Sequence, residues 1–265
     1  MVKRLRVFAG PNGSGKSSII QSLLNLELEE GKKLDFGIYI NADDIALQLK
    51  NKGCPFDAFE VEVTKKELLT TASESGLINN TFSIERFSDC VRLEHNVLKL
   101  NKKHAGKLDD NPGERVAQIV ADFLRKKLLS LEKKFSFETV FSHEGKVDFM
   151  KQAKDAGYKV YLYYVSTEHP RINNYRVNVV RAGKKGHVVS KEKIYSRYYR
   201  SMNLMYQAAA LSYQAYFFDN SYDGSNHTMF AHFKVTGDGV KIWDETHKES
   251  YPIWFKKYYS AKLSR

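Results

Sequence analysis

The sequence predicts an α/β fold: a parallel sheet with helices on both faces, an inserted helical segment and a C-terminal hairpin. Two observations carry this. Short apolar runs alternate with helix-period segments along most of the 265 residues, the pattern of strands joined by crossover helices. Near the start, Gly10-Pro11-Asn12-Gly13-Ser14-Gly15-Lys16-Ser17 fits G-x-x-x-x-G-K-[ST] at every fixed position. It lies between an apolar strand and a helix, the context in which such a loop wraps phosphate. The sheet is therefore expected to be of the P-loop NTPase type.

The elements follow in order. Residues 5–9 read as a buried strand and the stretch from Ser17 as an amphipathic helix. Residues 36–41 form a second apolar run ending in Ala42-Asp43-Asp44, and Asp43 or Asp44 can cap a helix over 45–50. Residues 64–75 have helical spacing and stop at Gly76; residues 90–100 also read as helical, and 104–113 as a polar loop. The whole of 51–113 is thus expected to be a helical insertion. A long apolar stripe predicts a helix over 114–133, leading into a strand over 135–140. A helix over 147–156 closes at Gly157, and 158–165 is a strong strand. Helices over 170–181 and 190–213 flank a Gly- and Lys-containing loop, 216–219 is a strand, and 229–235 with 240–243 make a hairpin around Thr236-Gly237-Asp238-Gly239. No Pro/Gly/Ser-rich linker divides the chain, so one domain over 1–265 is expected.

Composition bounds the function. Hydrophobic residues are 42% and aromatic residues 13%, enough for a core of this length. The two cysteines, Cys54 and Cys90, lack metal-ligand spacing and cannot build a disulfide framework. With no visible signal peptide and no apolar run near eighteen residues, the expectation is a cytoplasmic protein without a membrane partner. The formal charge of +11 comes from dispersed lysines and arginines with no basic tail. It fits an anionic small substrate or a solvated lysine-rich surface better than a nucleic-acid partner.

The chemistry-bearing residues fall at strand ends, where α/β sheets bind ligands. Gly10, Asn12, Gly13, Ser14, Gly15, Lys16, Ser17 and Ser18 would bind the nucleotide, expected to be ATP. Lys16 reaches the β- and γ-phosphates and the Ser17 hydroxyl binds Mg²⁺. Asp43 can accept a proton from an attacking hydroxyl, hold Mg²⁺ through water, or simply cap its helix. Glu138 is a charge inside an apolar strand, so it must be paired or face a ligand. Substrate hydroxyls are natural partners for it, with Thr139, Ser142 and His143 nearby in sequence. Arg176, Arg181, Lys184, Lys185 and His187 form a basic lid whose cations would face the transferring phosphoryl group.

Taken together, Gly10 to Ser17, Asn41-Ala42-Asp43-Asp44-Ile45-Ala46, Phe135-Ser136-Phe137-Glu138-Thr139, Ala156-Gly157-Tyr158, Arg176 to His187 and Phe218-Asp219-Asn220-Ser221 resemble the short bacterial zeta-toxin-like P-loop kinases. The resemblance runs from Val7 to about Ser221. It implies that Lys16 and Ser17 bind ATP and Mg²⁺ and that Asp43 is the general base. It also implies that Glu138 positions a sugar-nucleotide hydroxyl and that Arg176 and Arg181 stabilise the transferred phosphate. The implied activity is 3′-phosphorylation of UDP-N-acetylglucosamine, with an antitoxin protein as partner. The chain departs from the zeta toxins proper in its Gly183-Lys184-Lys185-Gly186-His187 loop and in the 51–113 segment. Two rivals stand beside this reading: a kinase acting on nucleic acid or nucleotides, and a non-catalytic ATP-dependent switch.

Overall fold

A computed structural model describes residues 2–27, 31, 33–101, 112–181, 189–222, 228–244 and 251–263, with Arg181 described by its backbone alone. Strand β1 (Arg4–Ala9) leads into α1 (Lys16–Asn25), and β2 (Ile38–Ile40) into α2 (Ala42–Asn51). Then come β3 (Cys54–Pro55), a 3₁₀ turn (Phe56–Phe59), α3 (Lys65–Glu74), α4 (Ile84–Cys90), β4 (Val91–Glu94), β5 (Val97–Leu100) and α5 (Pro112–Ser130). After β6 (Phe135–Thr139), α6 (Gly145–Asp155) and β7 (Lys159–Ser166), α7 (Pro170–Tyr175) passes into a π-helix (Arg176–Arg181). The last elements are α8 (Lys191–Leu211), β8 (Gln214–Asp219), β9 (Thr228–Val235), β10 (Lys241–Trp243), α9 (Ile253–Phe255), a second π-helix (Lys256–Ser260) and α10 (Ala261–Leu263). The chain is α/β, with a mostly parallel sheet of the P-loop NTPase type. It divides into two compact units, Met1–Phe36 with Glu138–Arg265, and Gly37–Phe137.

In the first unit the strands run β10-β9-β8-β7-β1. β1 pairs with β7 and β7 with β8 in parallel, while β8, β9 and β10 are antiparallel neighbours, the expected hairpin among them. Register aligns Phe8, Tyr163, Tyr216 and His232, one from each of four adjacent strands, on one face. Their rings stack at 4.8, 4.8 and 4.2 Å, the cross-strand pairing that fixes a sheet's register. Tyr164 points to the opposite face by strand alternation, and its hydroxyl lies 2.8 Å from Ser201 of α8. Residues 253–263 pack an aromatic cluster against β8. Phe217 meets Phe255 at 4.8 Å and Tyr259 at 5.3 Å, all three buried.

In the second unit β2 pairs with β6 in parallel, Ile38 opposite Phe135 and Ile40 opposite Phe137. A separate antiparallel sheet has the order β3-β5-β4. Residues 90–100 are therefore not helical: α4 ends at Cys90 and a hairpin follows. His95 and Asn96 both take positive φ, 49° and 60°, the conformation that a two-residue hairpin turn demands. Asn96 holds that turn in place. Its amide donates to Val61 O at 2.8 Å and to Asp57, and its Oδ1 accepts the Val63 N–H at 3.1 Å. Val91, Leu93, Leu98 and Leu100 fit either period by sequence, and the side-chain-locked turn decides for strands. Both cysteines are buried, and burial pushes the Cys54 thiol up to about 12, so it stays protonated and unreactive.

Candidate nucleotide-binding site

The loop 10–17 forms the expected cradle. At Gly10 (φ 146°) a Cβ would stand 2.0 Å from Val165 O, and at Gly13 (φ 73°) 2.8 Å from Asn173 O. Only glycine lets the loop lie against the ends of β7 and α7. Lys16 is buried, its Nζ donating to Gly10 O and Pro11 O at 3.0 Å each. The ammonium thus sits over the loop it serves. α1 starts from Gly15 with no side-chain cap and no acidic residue in its first turn, which leaves the positive end of the helix directed at an anion. Two buried polar oxygens, Asn12 Oδ1 and Ser14 Oγ, have no hydrogen-bond partner among the described residues. A cradle with orphaned polar atoms, a buried lysine and a helix N-terminus fits a polyphosphate with its Mg²⁺.

Glu138 comes to this cradle. The Ser17 hydroxyl donates to its Oε2 at 3.5 Å, and Oε1 lies 3.8 Å from Lys16 Nζ. The other two residues read as substrate contacts have local work. Thr139 Oγ1 accepts the Phe141 N–H at 3.1 Å, bracing a turn in which buried Phe141 has φ 57°. The exposed His143 accepts the Gly145 N–H on Nδ1 at 3.1 Å, at the start of α6.

A polar brace that the sequence reading did not single out holds the loop from the other side. Asn173, fully buried in α7, donates from Nδ2 to Asn12 O at 2.6 Å, while Thr167 Oγ1 donates to Asn173 Oδ1 at 2.5 Å. Asn220, just past β8, donates to Ser14 O at 2.8 Å. Arg176 joins this brace, its Nη1 donating to Asn220 O at 2.7 Å. An asparagine in a helix gives no hint in sequence of what its amide will reach, so these contacts had no readable signal; Asn220 appeared only as part of a strand-end motif.

Residues 170–181 form one α-helical turn and then a π-helix, not the single α-helix expected. An i→i+5 helix has more residues per turn than an α-helix, so the placement of Arg176 and Arg181 around its axis is not that of an α-helix. Asn178 ties this segment to Val189: it donates to Val189 O at 2.7 Å and accepts from Val189 N at 3.1 Å. The side chain of Arg181 and the lid residues Lys184, Lys185 and His187 lie outside the described residues. Beside the brace, Arg171, Asn174, Tyr175, Lys191, Tyr195 and Ser221 line an open cleft of about 470 Å³.

Asp43 occupies the first turn of α2. The cap is neither Asp43 nor Asp44 but Asn41, whose side chain accepts the Asp43 N–H at 2.9 Å. Asn41 is one residue outside the helix with extended backbone, where an N-cap must sit, and the aspartates already have helical geometry. Burial and the adjacent Asp43 carboxylate raise the Asp44 carboxyl above the usual range.

No family model matches the sequence, and no curated protein matches it. Among solved structures the chain is similar to AvrRxo1-ORF1 in complex with AvrRxo1-ORF2 and sulphate ions (13% identity, TM-score 0.47, covering 87% of this chain and 58% of that one). It is similar to the native AvrRxo1-ORF1:ORF2 complex (16% identity, TM-score 0.48, 99% and 65%). It is also similar to the PezAT chromosomal toxin–antitoxin system of Streptococcus pneumoniae (12% identity, TM-score 0.44, 98% and 79%). The chain spans less than two thirds of the AvrRxo1 structures it matches. Its motif series resembles that of the zeta-toxin-like P-loop kinases.

Proposed function

We propose that this protein is a zeta-toxin-like kinase that transfers the γ-phosphoryl group of ATP to a hydroxyl of a small anionic acceptor, a nucleotide sugar such as UDP-N-acetylglucosamine. The observation that carries the reading is the complete phosphate cradle with a carboxylate at its lip: Glu138 lies 3.5 Å from the Ser17 hydroxyl and 3.8 Å from the Lys16 ammonium. In this reading Gly13, Gly15 and the first turn of α1 hold the phosphates, Lys16 neutralises the β/γ oxygens, and Ser17 Oγ is a ligand to Mg²⁺. When bound, the Mg²⁺ offsets charge on the transferred group. Asp43 takes the proton of the acceptor hydroxyl; with Asn41 as the cap, the capping alternative for Asp43 falls away. Arg176 places a cation beside the cradle, and Arg181 is assigned the same role on the motif resemblance. An antitoxin partner is proposed on that resemblance too, and a single kinase domain with 51–113 inserted into it on the lack of a Pro/Gly/Ser-rich linker in the sequence.

The test is to incubate the protein with γ-labelled ATP and a bacterial metabolite extract, identify the labelled product by mass spectrometry, and repeat with Lys16→Ala and Asp43→Asn. A phosphorylated nucleotide sugar is expected, with Asp43→Asn keeping ATP binding and losing roughly 10²-fold in transfer. Label in RNA or a nucleoside would favour the nucleic-acid or nucleotide kinase. ATP binding with no labelled product in any pool would favour the switch.

A further inference from the structure

The structure assigns Trp254 a part in the nucleotide site: we propose that it is a positioning residue whose indole N–H, acting through the Asp219 carboxylate, fixes the turn 219–221 and with it the place of Asn220 and Arg176. The inference rests on the nucleotide reading above and deepens it, since there Asn220 and Arg176 are taken as already fixed.

Asn220 carries three contacts at the point where the chain leaves β8. Its N–H donates to Ser166 O at 2.9 Å, its Nδ2 donates to Ser14 O at 2.8 Å, and its own carbonyl accepts Arg176 Nη1 at 2.7 Å. Two of the three serve the site, and the direction of both depends on the dihedral angles of this one residue. Those angles are set by its neighbours. Ser221 Oγ donates to Asp219 Oδ1 at 2.7 Å, closing a side-chain bridge across Asn220. The same Oγ accepts the Glu168 N–H at 2.8 Å, which ties the bridge to the chain just past β7.

The bridge is anchored from the aromatic cluster. Trp254 Nε1 donates to the same Asp219 Oδ1 at 2.9 Å. The indole is buried among Phe230 at 5.4 Å, Phe255 at 5.9 Å and Tyr164 at 6.3 Å, so its N–H is held in one direction. A buried indole N–H needs an acceptor, and a carboxylate is a stronger one than a neutral carbonyl. The Glu168 carboxylate accepts the backbone N–H groups of Trp254 and Ile253, and burial together with the Asp219 charge raises its carboxyl above the usual range. Two carboxylates that repel each other therefore flank the start of α9. Without the indole N–H, Asp219 loses a donor beside a like charge and turns away, taking Ser221 and the turn with it. A phenylalanine would fill most of the ring's place in the cluster; the N–H is what tryptophan adds.

The test is a pair of double-mutant cycles, read at a temperature where every variant is folded. Trp254→Phe and Asp219→Ala are combined with Asn220→Ala for the affinity of a non-hydrolysable ATP analogue. They are combined with Arg176→Ala for the rate of label transfer from γ-labelled ATP into the metabolite extract. Trp254→Phe should weaken the analogue roughly threefold and slow transfer roughly tenfold, the scale of one hydrogen bond to a charged group. The first loss should vanish in the Asn220→Ala background and the second in Arg176→Ala, which a general loss of stability would not do. Asp219→Ala leaves the rings untouched and should reproduce both losses, so the proposal is decided even where Trp254→Phe does not fold. Asp219→Asn keeps an acceptor oxygen and should recover part of each. Losses that persist undiminished in the Asn220→Ala and Arg176→Ala backgrounds, or wild-type affinity and rate in Asp219→Ala, would overturn the proposal and leave Trp254 a core residue, with the nucleotide reading intact. If the wild type binds the analogue but transfers no label, the kinase reading falls and the affinity cycle decides, the threefold loss supporting the proposal and its absence overturning it. Absence of nucleotide binding by the wild type would overturn both.

Discussion

Two regions of the first unit are buried to the same degree and built from opposite materials. Around the phosphate loop the interior is polar: Ser14, Thr167 and Asn173 are fully buried and Asn220 nearly so, and the two asparagines are tied to loop carbonyls. Around Phe217, Phe255 and Tyr259 the interior is aromatic, ring against ring at 4.8–5.3 Å. Burying amides gains little over burying hydrocarbon, and each must keep its hydrogen bond or be destabilising. Satisfied polar networks do fix geometry, which aromatic packing does less specifically. The difference separates the part of the interior that shapes a site from the part that holds the fold.

The sharpest way to break that comparison is to change each region and see whether effects cross over. Lys16→Ala should lower kcat/KM by roughly 10³-fold, the scale of removing a positioned charge from a transferring phosphoryl group, with the thermal midpoint nearly unchanged. Phe255→Ala should do the reverse. It should cost about 3–5 kcal/mol of stability in denaturant titration, while ATP-analogue affinity, measured where the variant is folded, stays within about twofold. Nucleotide affinity falling with the aromatic variant would show that the two regions are one cooperative element.

Arg176 lies on the boundary of the comparison, with one donor on Asn220 O and a guanidinium that carries five N–H donors in a fixed fork. Arg176→Ala should lower kcat by roughly 10²-fold with a much smaller change in nucleotide Kd, as for a cation that acts when charge develops. Stopped-flow binding beside steady-state turnover separates the two. Parallel losses in Kd and kcat/KM would make Arg176 a member of the brace and no more.

How much of this was legible in the sequence depends on where the deciding contact lies. The cradle could be read because fixed spacing and glycine geometry are local properties, and Gly10 and Gly13 are required by what their Cβ would strike. Helix α3 was read to within a residue, because its helical spacing and its stop at Gly76 lie inside the segment itself, and the structure adds a Thr64–Glu67 capping box at its start. The hairpin at 91–100 was misread because its turn, His95-Asn96, contains no glycine and is stabilised by contacts with Asp57, Val61 and Val63, more than thirty residues away. Asn41 was passed over as a cap because two aspartates follow it, and which of three neighbours stands outside the helix is set by backbone dihedrals alone. Asn173 reaches Asn12 across 161 residues, and nothing near it in sequence points there.

The smallest effect expected is also the one that most directly tests the polar region. A trans peptide directs its C=O and N–H to opposite sides. Asn173, holding Asn12 O from outside at 2.6 Å, therefore turns the Gly13 N–H toward the cradle, and Asn220, holding Ser14 O at 2.8 Å, does the same for Gly15. Asn173→Ala and Asn220→Ala should each weaken an ATP analogue about tenfold, near 1.4 kcal/mol, measured by calorimetry and repeated with inorganic tripolyphosphate so that only phosphate contacts count. Because both act on one loop, the double variant should lose less than the sum. Asn173→Asp keeps the shape and removes the donor, setting an acceptor against the Asn12 carbonyl, so it should be at least as impaired as the alanine variant. Hydrogen exchange at Gly13 and Gly15 should rise in the same variants. Unchanged tripolyphosphate affinity in all four variants, with only the thermal midpoint lowered, would mean that the asparagines support the fold and leave the loop's amides where they were.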